Sequence, residues 1–181
     1  IAGTGVGTDV AGRPNVVVLI ESDSDEARVP KYIDGVALIR ALLADAEKTG
    51  VAFNIKLTNT LETSNQEQNL PKNEQMVYMS GRALHPISIN LAATLQGELK
   101  GVLDISFSAG VDCFNIVDTL SCGLRPVTVC SDVLKPGGYG RLSQYLLELS
   151  QACQDAGANT LEEFTLSRST EMQEVAQAAL G

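Results

Sequence analysis

Short apolar runs and segments with helical periodicity alternate along most of this chain. The runs are only a few residues long, and the first of them is mostly β-branched, which is typical of buried strands. They lie at residues 16–20, 51–57, 102–107 and 126–129. The helix-like segments carry apolar residues three and four positions apart, and they lie at residues 32–48, 86–99, 112–122 and 138–153. This alternation predicts an α/β fold of parallel βα repeats.

Two architectures share this pattern. An open doubly wound sheet and half of a (βα)8 barrel both place helices over parallel strands, and the spacing alone does not choose between them. The polar stretch at residues 58–77 lacks periodicity and is predicted to be a functional loop or a lid. Residues 1–31 contain a single predicted strand, and residues 157–181 are expected to form a peripheral helical segment. The main domain is therefore placed at residues 32–156.

Charge and composition exclude several classes of partner. The chain has 22 acidic and 13 basic residues, and its formal net charge of −9 argues against nucleic acid, whose phosphates require clustered Lys and Arg. No apolar run approaches the roughly 18 residues of a membrane span, and no secretory signal is visible, so a cytoplasmic protein is expected. The four cysteines form no C-x-x-C pair, so we predict no metal site. The first residue is Ile1 rather than Met, which suggests a fragment.

Clusters of small residues follow two successive predicted strands. Ser108, Ala109 and Gly110 follow the third strand, and Cys130 and Ser131 follow the fourth. In parallel βα units the backbone at such junctions can approach a ligand closely, and amides near helix N-termini favour anions. The two junctions therefore suggest a phosphate-binding site, although two ordinary βα turns would look the same.

Polar residues occupy two further strand and helix ends. Asn59 and Thr60 follow the second predicted strand, where an amide could bind the donors and acceptors of a planar heterocycle; an ordinary turn is the alternative. Ser80 precedes a predicted helix and fits an N-cap. His85 is the single histidine of the chain, and a structural role is favoured over a catalytic one. Asp112 also fits an N-cap.

The order of these motifs resembles a known family. The chain contains IKLTNTL, MSGRALHP, DISFSAGVDCFN and RPVTVCSDVLKPGGY, in that order. The series resembles the C-terminal half of the FMN-binding TIM barrel of dihydroorotate and dihydropyrimidine dehydrogenases. It is most similar to the barrel of the family described as selenate reductase subunits, which are large flavin and iron–sulfur oxidoreductases. The resemblance covers roughly residues 32–156.

The resemblance implies roles for four polar or small residues near the substrate and the flavin. Asn59 and Thr60 stand where the family's strand-end Asn-Thr pair contacts the substrate ring. Ser80 and Gly81 stand where a glycine amide meets the flavin. The implied substrate is a planar nitrogen heterocycle of the pyrimidine or purine type.

The resemblance also implies a phosphate grip. Ala109 and Gly110 stand where two glycines normally hold the FMN phosphate, and Cys130 and Ser131 complete that grip. The alanine departs from the family pattern, since a Cβ at this position is expected to crowd the phosphate or forbid a positive φ. The family's catalytic Cys or Ser has no match in this chain, so the catalytic residue is unknown. Its flavin-contacting Lys is also absent, and Lys56 is not an equivalent.

These implications lead to a functional expectation and two alternatives. We expect an FMN-dependent oxidoreductase barrel, incomplete for catalysis on its own, that belongs to a larger enzyme. Iron–sulfur clusters, FAD or NAD(P) would bind elsewhere in the full-length protein, with electron-transfer subunits as possible partners. The rest of the barrel would come from the same polypeptide or from a second copy. The alternatives are a degenerate, non-catalytic docking module and a (βα)8 enzyme acting on a sugar phosphate.

Overall fold

The computed structural model describes residues 3–8, 14–19, 32–64, 76–168 and 172–180. Within these ranges the strands are β1 (Gly3–Thr8), β2 (Pro14–Leu19), β3 (Asn54–Leu57), β4 (Leu61–Ser64), β5 (Met76–Met79) and β6 (Asp104–Phe107). The α-helices are α1 (Tyr32–Thr49), α2 (His85–Glu98), α3 (Ile116–Ser121), α4 (Leu142–Asp155), α5 (Leu161–Arg168) and α6 (Met172–Ala178). Two 3₁₀ turns, Gly81–Leu84 and Gly138–Arg141, precede α2 and α4.

The chain divides into two compact units. The first contains Ile1–Lys56 and Leu95–Asp104, and the second contains Leu57–Thr94 and Ile105–Gly181. No helix in the described ranges combines the length and the apolar character that a membrane span requires.

The first unit holds an antiparallel pair and the long helix α1. β1 pairs with β2 from Gly3↔Leu19 to Thr8↔Pro14. Only β2 was predicted, because the glycine-rich β1 has no apolar periodicity and depends on its partner for its hydrogen bonds. The helix predicted at residues 32–48 is confirmed by α1. The Arg40 guanidinium donates hydrogen bonds to the backbone carbonyl of Glu98 at 3.1 Å and to its carboxylate at 3.2 Å.

Parallel strand segments run through the second unit. The Phe107 amide donates to the Pro126 carbonyl at 3.0 Å, and the Thr128 amide donates to the Phe107 carbonyl at 2.8 Å. These bonds form a parallel bridge between Phe107 and Val127. The Ser108 amide, directly after β6, also donates to the carbonyl of Leu57, the last residue of β3. The predicted α/β fold with parallel strands is therefore present, although the fourth predicted strand is reduced to a bridge.

The core of the second unit is apolar and comes from distant parts of the chain. Among its described residues, the largest fully buried apolar side chains are Phe107, Phe164, Ile89, Ile105 and Leu124. Each such side chain stabilises the fold by roughly 1.5–3 kcal/mol relative to an exposed position. The core therefore includes α5 as well as α2 and β6.

The segment expected to be peripheral contributes to this core. Within this segment Leu161–Arg168 forms α5 and Met172–Ala178 forms α6, in agreement with its predicted helical character. Phe164 on α5 is completely buried, and the Asn90 side-chain amide donates to the Ala176 carbonyl on α6 at 2.8 Å. Both helices contact α3. A single aromatic residue on a short polar helix gives no periodic signal, which explains why the sequence suggested a peripheral position.

The stretch predicted as a loop or lid is partly a β-hairpin. β4 and β5 pair antiparallel, from Leu61↔Met79 to Ser64↔Met76. The Thr63 hydroxyl donates to the Val77 carbonyl at 3.3 Å. Strands of four residues are too short to show an alternating pattern, so they were missed. Residues 65–75 of the predicted lid lie outside the described residues.

Candidate functional site

Three loops of the second unit meet at one place. We call residues 80–82 the first loop, residues 108–112 the second loop and residues 130–132 the third loop. A Cβ added to Gly110 would lie 2.1 Å from the Gly81 carbonyl oxygen. A Cβ added to Gly81 would lie 3.5 Å from the Cβ of Ser131. Gly81 therefore touches both the second and the third loop.

The parallel strands explain why the second and third loops leave the same edge. The second loop follows β6, and the third loop follows the segment that bridges Phe107 through Val127. The carboxyl ends of parallel segments lie at the same side of a sheet, where ligands bind in α/β folds. The two small-residue junctions therefore leave the same edge of the parallel segments, and Gly110 of the one and Ser131 of the other both lie near Gly81.

Gly110 is the residue that needs to be glycine. Its φ is +59°, in the left-handed region, and a side chain there would also meet the Cα of Arg82 at 2.8 Å. Lys100 is the one non-glycine residue with positive φ in the described part of the chain. Ala109, which is 2% exposed, therefore does not need a positive φ. The conformational objection to alanine at position 109 does not apply in this structure.

A buried carboxylate joins the first loop to the second. Asp112 accepts a hydrogen bond from Arg82 Nε at 2.8 Å and a second one from the Nη2 of the same guanidinium. Its other oxygen accepts the Phe114 amide at 3.0 Å, while its own amide donates to the Asn115 side chain at 2.9 Å. Arg82 also lies over the Phe114 ring, 4.8 Å from its centre. The helix predicted from residue 112 begins only at Ile116, with Asn115 as its N-cap. The N-cap predicted at Asp112 is therefore wrong, and this carboxylate instead closes the turn before α3 and fixes Arg82.

A second buried carboxylate organises the third loop. Asp132 accepts hydrogen bonds from Arg141 Nε at 3.0 Å and Nη2 at 2.9 Å, from Lys135 Nζ at 3.1 Å and from the Tyr145 hydroxyl at 2.9 Å. The Arg141 hydrogen bonds, helped by those from Tyr145 and Lys135, lower the pKa of Asp132 from 3.8 to about 2, against the opposing effect of burial. The carboxylate is therefore ionised at neutral pH, and two cations surround it.

His85 anchors the second loop from α2. Its Nδ1 lies 2.9 Å from the Ala109 carbonyl oxygen, and its ring meets Phe107 edge-on at 5.7 Å. A carbonyl oxygen only accepts, so Nδ1 carries the proton in this contact. Burial lowers the pKa of His85, although the hydrogen bond to Ala109 acts in the other direction. This geometry fits the structural role that the sequence favoured.

Asn59 and Thr60 directly follow a residue that is hydrogen-bonded to the second loop. The preceding Thr58 donates its amide to the Ser108 carbonyl at 3.3 Å, and its hydroxyl lies 2.7 Å from the Ser88 hydroxyl. Asn59 and Thr60 themselves are exposed. The end of β3 is thus tied to the second loop, and the two predicted substrate residues follow that tie directly.

Ser80 and Cys130, the remaining predicted residues, are both exposed. Ser80 precedes the 3₁₀ turn with an extended backbone, at φ −144° and ψ −179°. It occupies the N-cap position, but its side chain makes no capping hydrogen bond. A pure capping role for Ser80 is therefore not supported.

Sequence reasoning missed four residues that organise the loops. These are Arg82, Asp132, Arg141 and Tyr145. The stretch SDVLKPGGYGR contains a signal, because an acidic residue follows the small pair directly and two basic residues come three and nine positions later. An acidic residue after a strand usually reads as a solvated turn, so its burial was not apparent. Within the described residues, no group of three or more His, Cys, Asp and Glu side chains could hold a metal ion.

Comparison with known proteins identifies the family. Residues 21–180 match the family model described as "Oxidoreductase YgfK, N-terminal TIM-barrel domain". The chain belongs to the YgfK N-terminal TIM-barrel family. The predicted α/β class with a TIM-barrel architecture is therefore confirmed.

Two relatives named YgfK support the same family assignment. YgfK of Escherichia coli strain K12, provisionally named an oxidoreductase, is 45% identical over 119 residues, which cover 66% of this chain and 11% of that protein. The protein of the same name from strain O157:H7 gives the same values. This chain therefore spans about a ninth of the length of these YgfK relatives.

A solved structure supports the fold. The crystal structure of DHODH from Eimeria tenella in complex with ferulenol matches with a TM-score of 0.55 at 18% identity. The match covers 82% of this chain and 36% of that one. At this level of identity it supports the fold alone, and it agrees with the barrel resemblance read from the motifs.

Proposed function

We propose that this chain is the flavin-binding part of a TIM-barrel oxidoreductase, and that it binds FMN with the phosphate between the second and third loops. The observation that carries the proposal is the meeting of Gly81, Gly110 and Ser131 at the carboxyl ends of parallel segments. Membership of an oxidoreductase TIM-barrel family and a fold shared with a DHODH support it.

The phosphate part of the proposal rests on space and charge. Ala109, Gly110 and Ser131 are small, and the absence of a side chain at Gly110 lets the first loop pack directly against the second. Lys135 and Arg141 supply two positive charges against the single carboxylate of Asp132. A chain with a net charge of −9 therefore carries a local excess of positive charge beside the third loop. A phosphate dianion fits such a place.

The remaining predicted residues would face the ring system. Bound FMN would supply hydride transfer, which none of the amino-acid side chains can provide. Ser80 and Gly81 would contact the flavin ring, with the Ser80 hydroxyl available because it makes no capping bond. Asn59 and Thr60, exposed at the end of β3, would hydrogen-bond a planar nitrogen heterocycle of the pyrimidine or purine type.

Proton transfer and electron transfer would use groups outside the three loops. Asp112 and Asp132, the two carboxylates in or next to the loops, are both occupied by guanidinium groups, so neither is placed to act as an acid or base. The catalytic residue, the rest of the barrel and any iron–sulfur, FAD or NAD(P) site would lie elsewhere in the full-length protein, which in the E. coli relatives is about nine times longer than the matched region.

The same contacts weaken the two alternatives. A sugar-phosphate enzyme would need a free Lys, Asp or Glu at a strand end, and both loop aspartates are engaged. A degenerate docking module was suggested by alanine at position 109, but the left-handed residue of the second loop is Gly110. The similarity to selenate reductase subunits remains part of the proposal, since it rests on the motifs alone.

Flavin titration tests the proposal. FMN added to the full chain should give saturable quenching of flavin fluorescence and a perturbed absorbance spectrum. Adding orotate, uracil or hypoxanthine should then shift the flavin spectrum, and Asn59→Ala should weaken that shift. Asn54→Ala is the matched control, because Asn54 is also exposed and lies at the other end of β3. Absence of saturable flavin binding in both the chain and the full-length protein would end the FMN proposal.

A further inference from the structure

The hydroxyl group of Tyr145 connects two of the three loops. Tyr145 is on α4 and is 5% exposed. Its hydroxyl oxygen lies 3.0 Å from the Val111 carbonyl oxygen in the second loop and 2.9 Å from the Asp132 carboxylate in the third loop. One phenol group therefore spans the two strand ends.

The two hydrogen-bond acceptors of Tyr145 occupy equivalent positions in their loops. Val111 comes directly after Gly110, and Asp132 comes directly after Ser131. The phenol thus joins the residues that immediately follow the two parts of the proposed phosphate grip. A substitution that shortens the Tyr145 side chain or removes its hydroxyl would therefore affect Gly110 and Ser131 through a single peptide unit each.

The Tyr145 hydroxyl must be the hydrogen-bond donor to both of its partners. A carbonyl oxygen and an ionised carboxylate can only accept, so the Tyr145 hydroxyl is the donor to both, and its single proton is shared between them. Burial and the Asp132 carboxylate raise the pKa of Tyr145, so the proton stays on the phenol. Arg141 and Lys135 donate the other hydrogen bonds to the Asp132 carboxylate and hold it in place.

We propose that Tyr145 and Asp132 are positioning residues that set the spacing of the second and third loops, and thereby the fit of the FMN phosphate between them. The inference rests on the proposed function for its ligand. It adds that affinity for the phosphate group depends on a hydroxyl that does not itself touch the ligand. Removing that hydroxyl leaves the Val111 carbonyl without this donor and frees the two loops to separate.

Comparing FMN with riboflavin isolates the phosphate. The two ligands share the isoalloxazine ring and the ribityl chain, and riboflavin lacks the phosphate. Tyr145→Phe should weaken FMN binding to the full chain by about tenfold, the effect of losing one buried hydrogen bond, and should change riboflavin binding by less than about twofold. Tyr139→Phe is the control, because Tyr139 is 80% exposed.

A second measurement does not need the flavin. Amide hydrogen exchange at residues 109–112 and 130–132 should be faster in Tyr145→Phe than in the wild type, with exchange in α5 unchanged. Asp132→Asn should weaken FMN binding in the same phosphate-specific way, since the amide keeps the shape but loses the charge that orders Arg141 and Lys135. Circular dichroism checks that each variant is folded.

The outcomes separate the inference from the proposed function. Wild-type preference for FMN that is reduced in Tyr145→Phe, together with faster loop exchange, supports the inference. A preference that survives the substitution, or unchanged loop exchange, overturns the inference and leaves the FMN proposal standing. Equal binding of FMN and riboflavin by the wild type overturns the phosphate site and the inference together. Binding of neither flavin, by this chain or by the full-length protein, overturns the proposed function as well.

Discussion

Replacement of Gly110 by alanine should disrupt the three-loop contact more than any other glycine substitution tested beside it. Two separate effects act at this position. The φ of +59° is unfavourable for a residue with a Cβ, and the added methyl group would lie 2.1 Å from the Gly81 carbonyl oxygen and 2.8 Å from the Arg82 Cα. Both neighbours are backbone atoms, so no side-chain rotation can relieve the contact.

The structure gives the size of the effect. An L-residue in the left-handed region costs roughly 1–2 kcal/mol. Forcing extra volume into a packed contact costs roughly 1–3 kcal/mol when the backbone has to shift. We therefore expect Gly110→Ala to lower the free energy of unfolding by about 2–5 kcal/mol, a large part of the roughly 5–15 kcal/mol typical of a folded protein.

Alanine substitutions at two other glycines separate the conformational cost from the steric cost. Gly157, at φ +66°, has no atom within 4 Å of an added Cβ, so Gly157→Ala should show the conformational cost alone. Gly81, at φ +68°, would place its Cβ at an ordinary contact distance of 3.5 Å from Ser131, so its stability loss should be similar to that at Gly157.

Urea denaturation of the three variants measures these differences. Gly110→Ala should have the lowest midpoint, by at least about 1 kcal/mol in unfolding free energy relative to Gly157→Ala. Gly81→Ala should lose only about as much stability as Gly157→Ala but should also lose flavin affinity, because its methyl group enters the proposed flavin contact. A Gly110→Ala variant as stable as Gly157→Ala would refute the close approach of the first and second loops.

Three further predictions follow from the charged and titratable groups. Burial lowers the pKa of His85 below 6.5, so its contribution to stability is complete above pH 6.5 and should be lost as the pH falls. His85→Gln should not show this loss, and the NMR proton signal of this single histidine reports its pKa directly. The pKa of Asp132 is lowered from 3.8 to about 2, so its stability contribution is complete above pH 3.8 and should disappear as the pH falls towards 2. Asp132→Asn lacks this contribution, so its melting temperature should fall less steeply over that window than that of the wild type; equal slopes would contradict the assigned contacts. Arg82→Gln should lower the free energy of unfolding by about 1–3 kcal/mol, because it leaves the buried Asp112 carboxylate without its guanidinium partner. Arg40→Gln breaks an exposed ion pair and should lower it by less than about 1 kcal/mol in the same urea assay.

Local patterns were enough to predict most of the regular elements. The apolar spacing of residues 32–48 corresponds to α1, and the run at 102–107 contains β6. These elements depend on contacts between residues close in sequence and on the position of the apolar face, and the sequence pattern shows both features directly. The order of strand and helix likewise leads to the parallel α/β class, because parallel strands require crossover connections.

The small-residue junctions were also visible in the sequence, but their meeting was not. Ser108, Ala109 and Gly110 stand out as small residues after a strand, and so do Cys130 and Ser131. That these two groups share an edge follows from the parallel bridge between Phe107 and Val127, which depends on register. Sequence motifs identified the residues, and the sheet brought them to one edge.

The buried polar network was decided by tertiary structure alone. Asp132 and Tyr145 are thirteen residues apart, and each would be an ordinary surface residue in a turn or on a helix. Their burial depends on α4 packing against α3 beside the loops, which no local pattern encodes. The same reason accounts for the hairpin of β4 and β5 and for the buried Phe164. Hydrophobic periodicity reports which face of an element is covered, whereas the partner that covers it is chosen only when the whole chain folds.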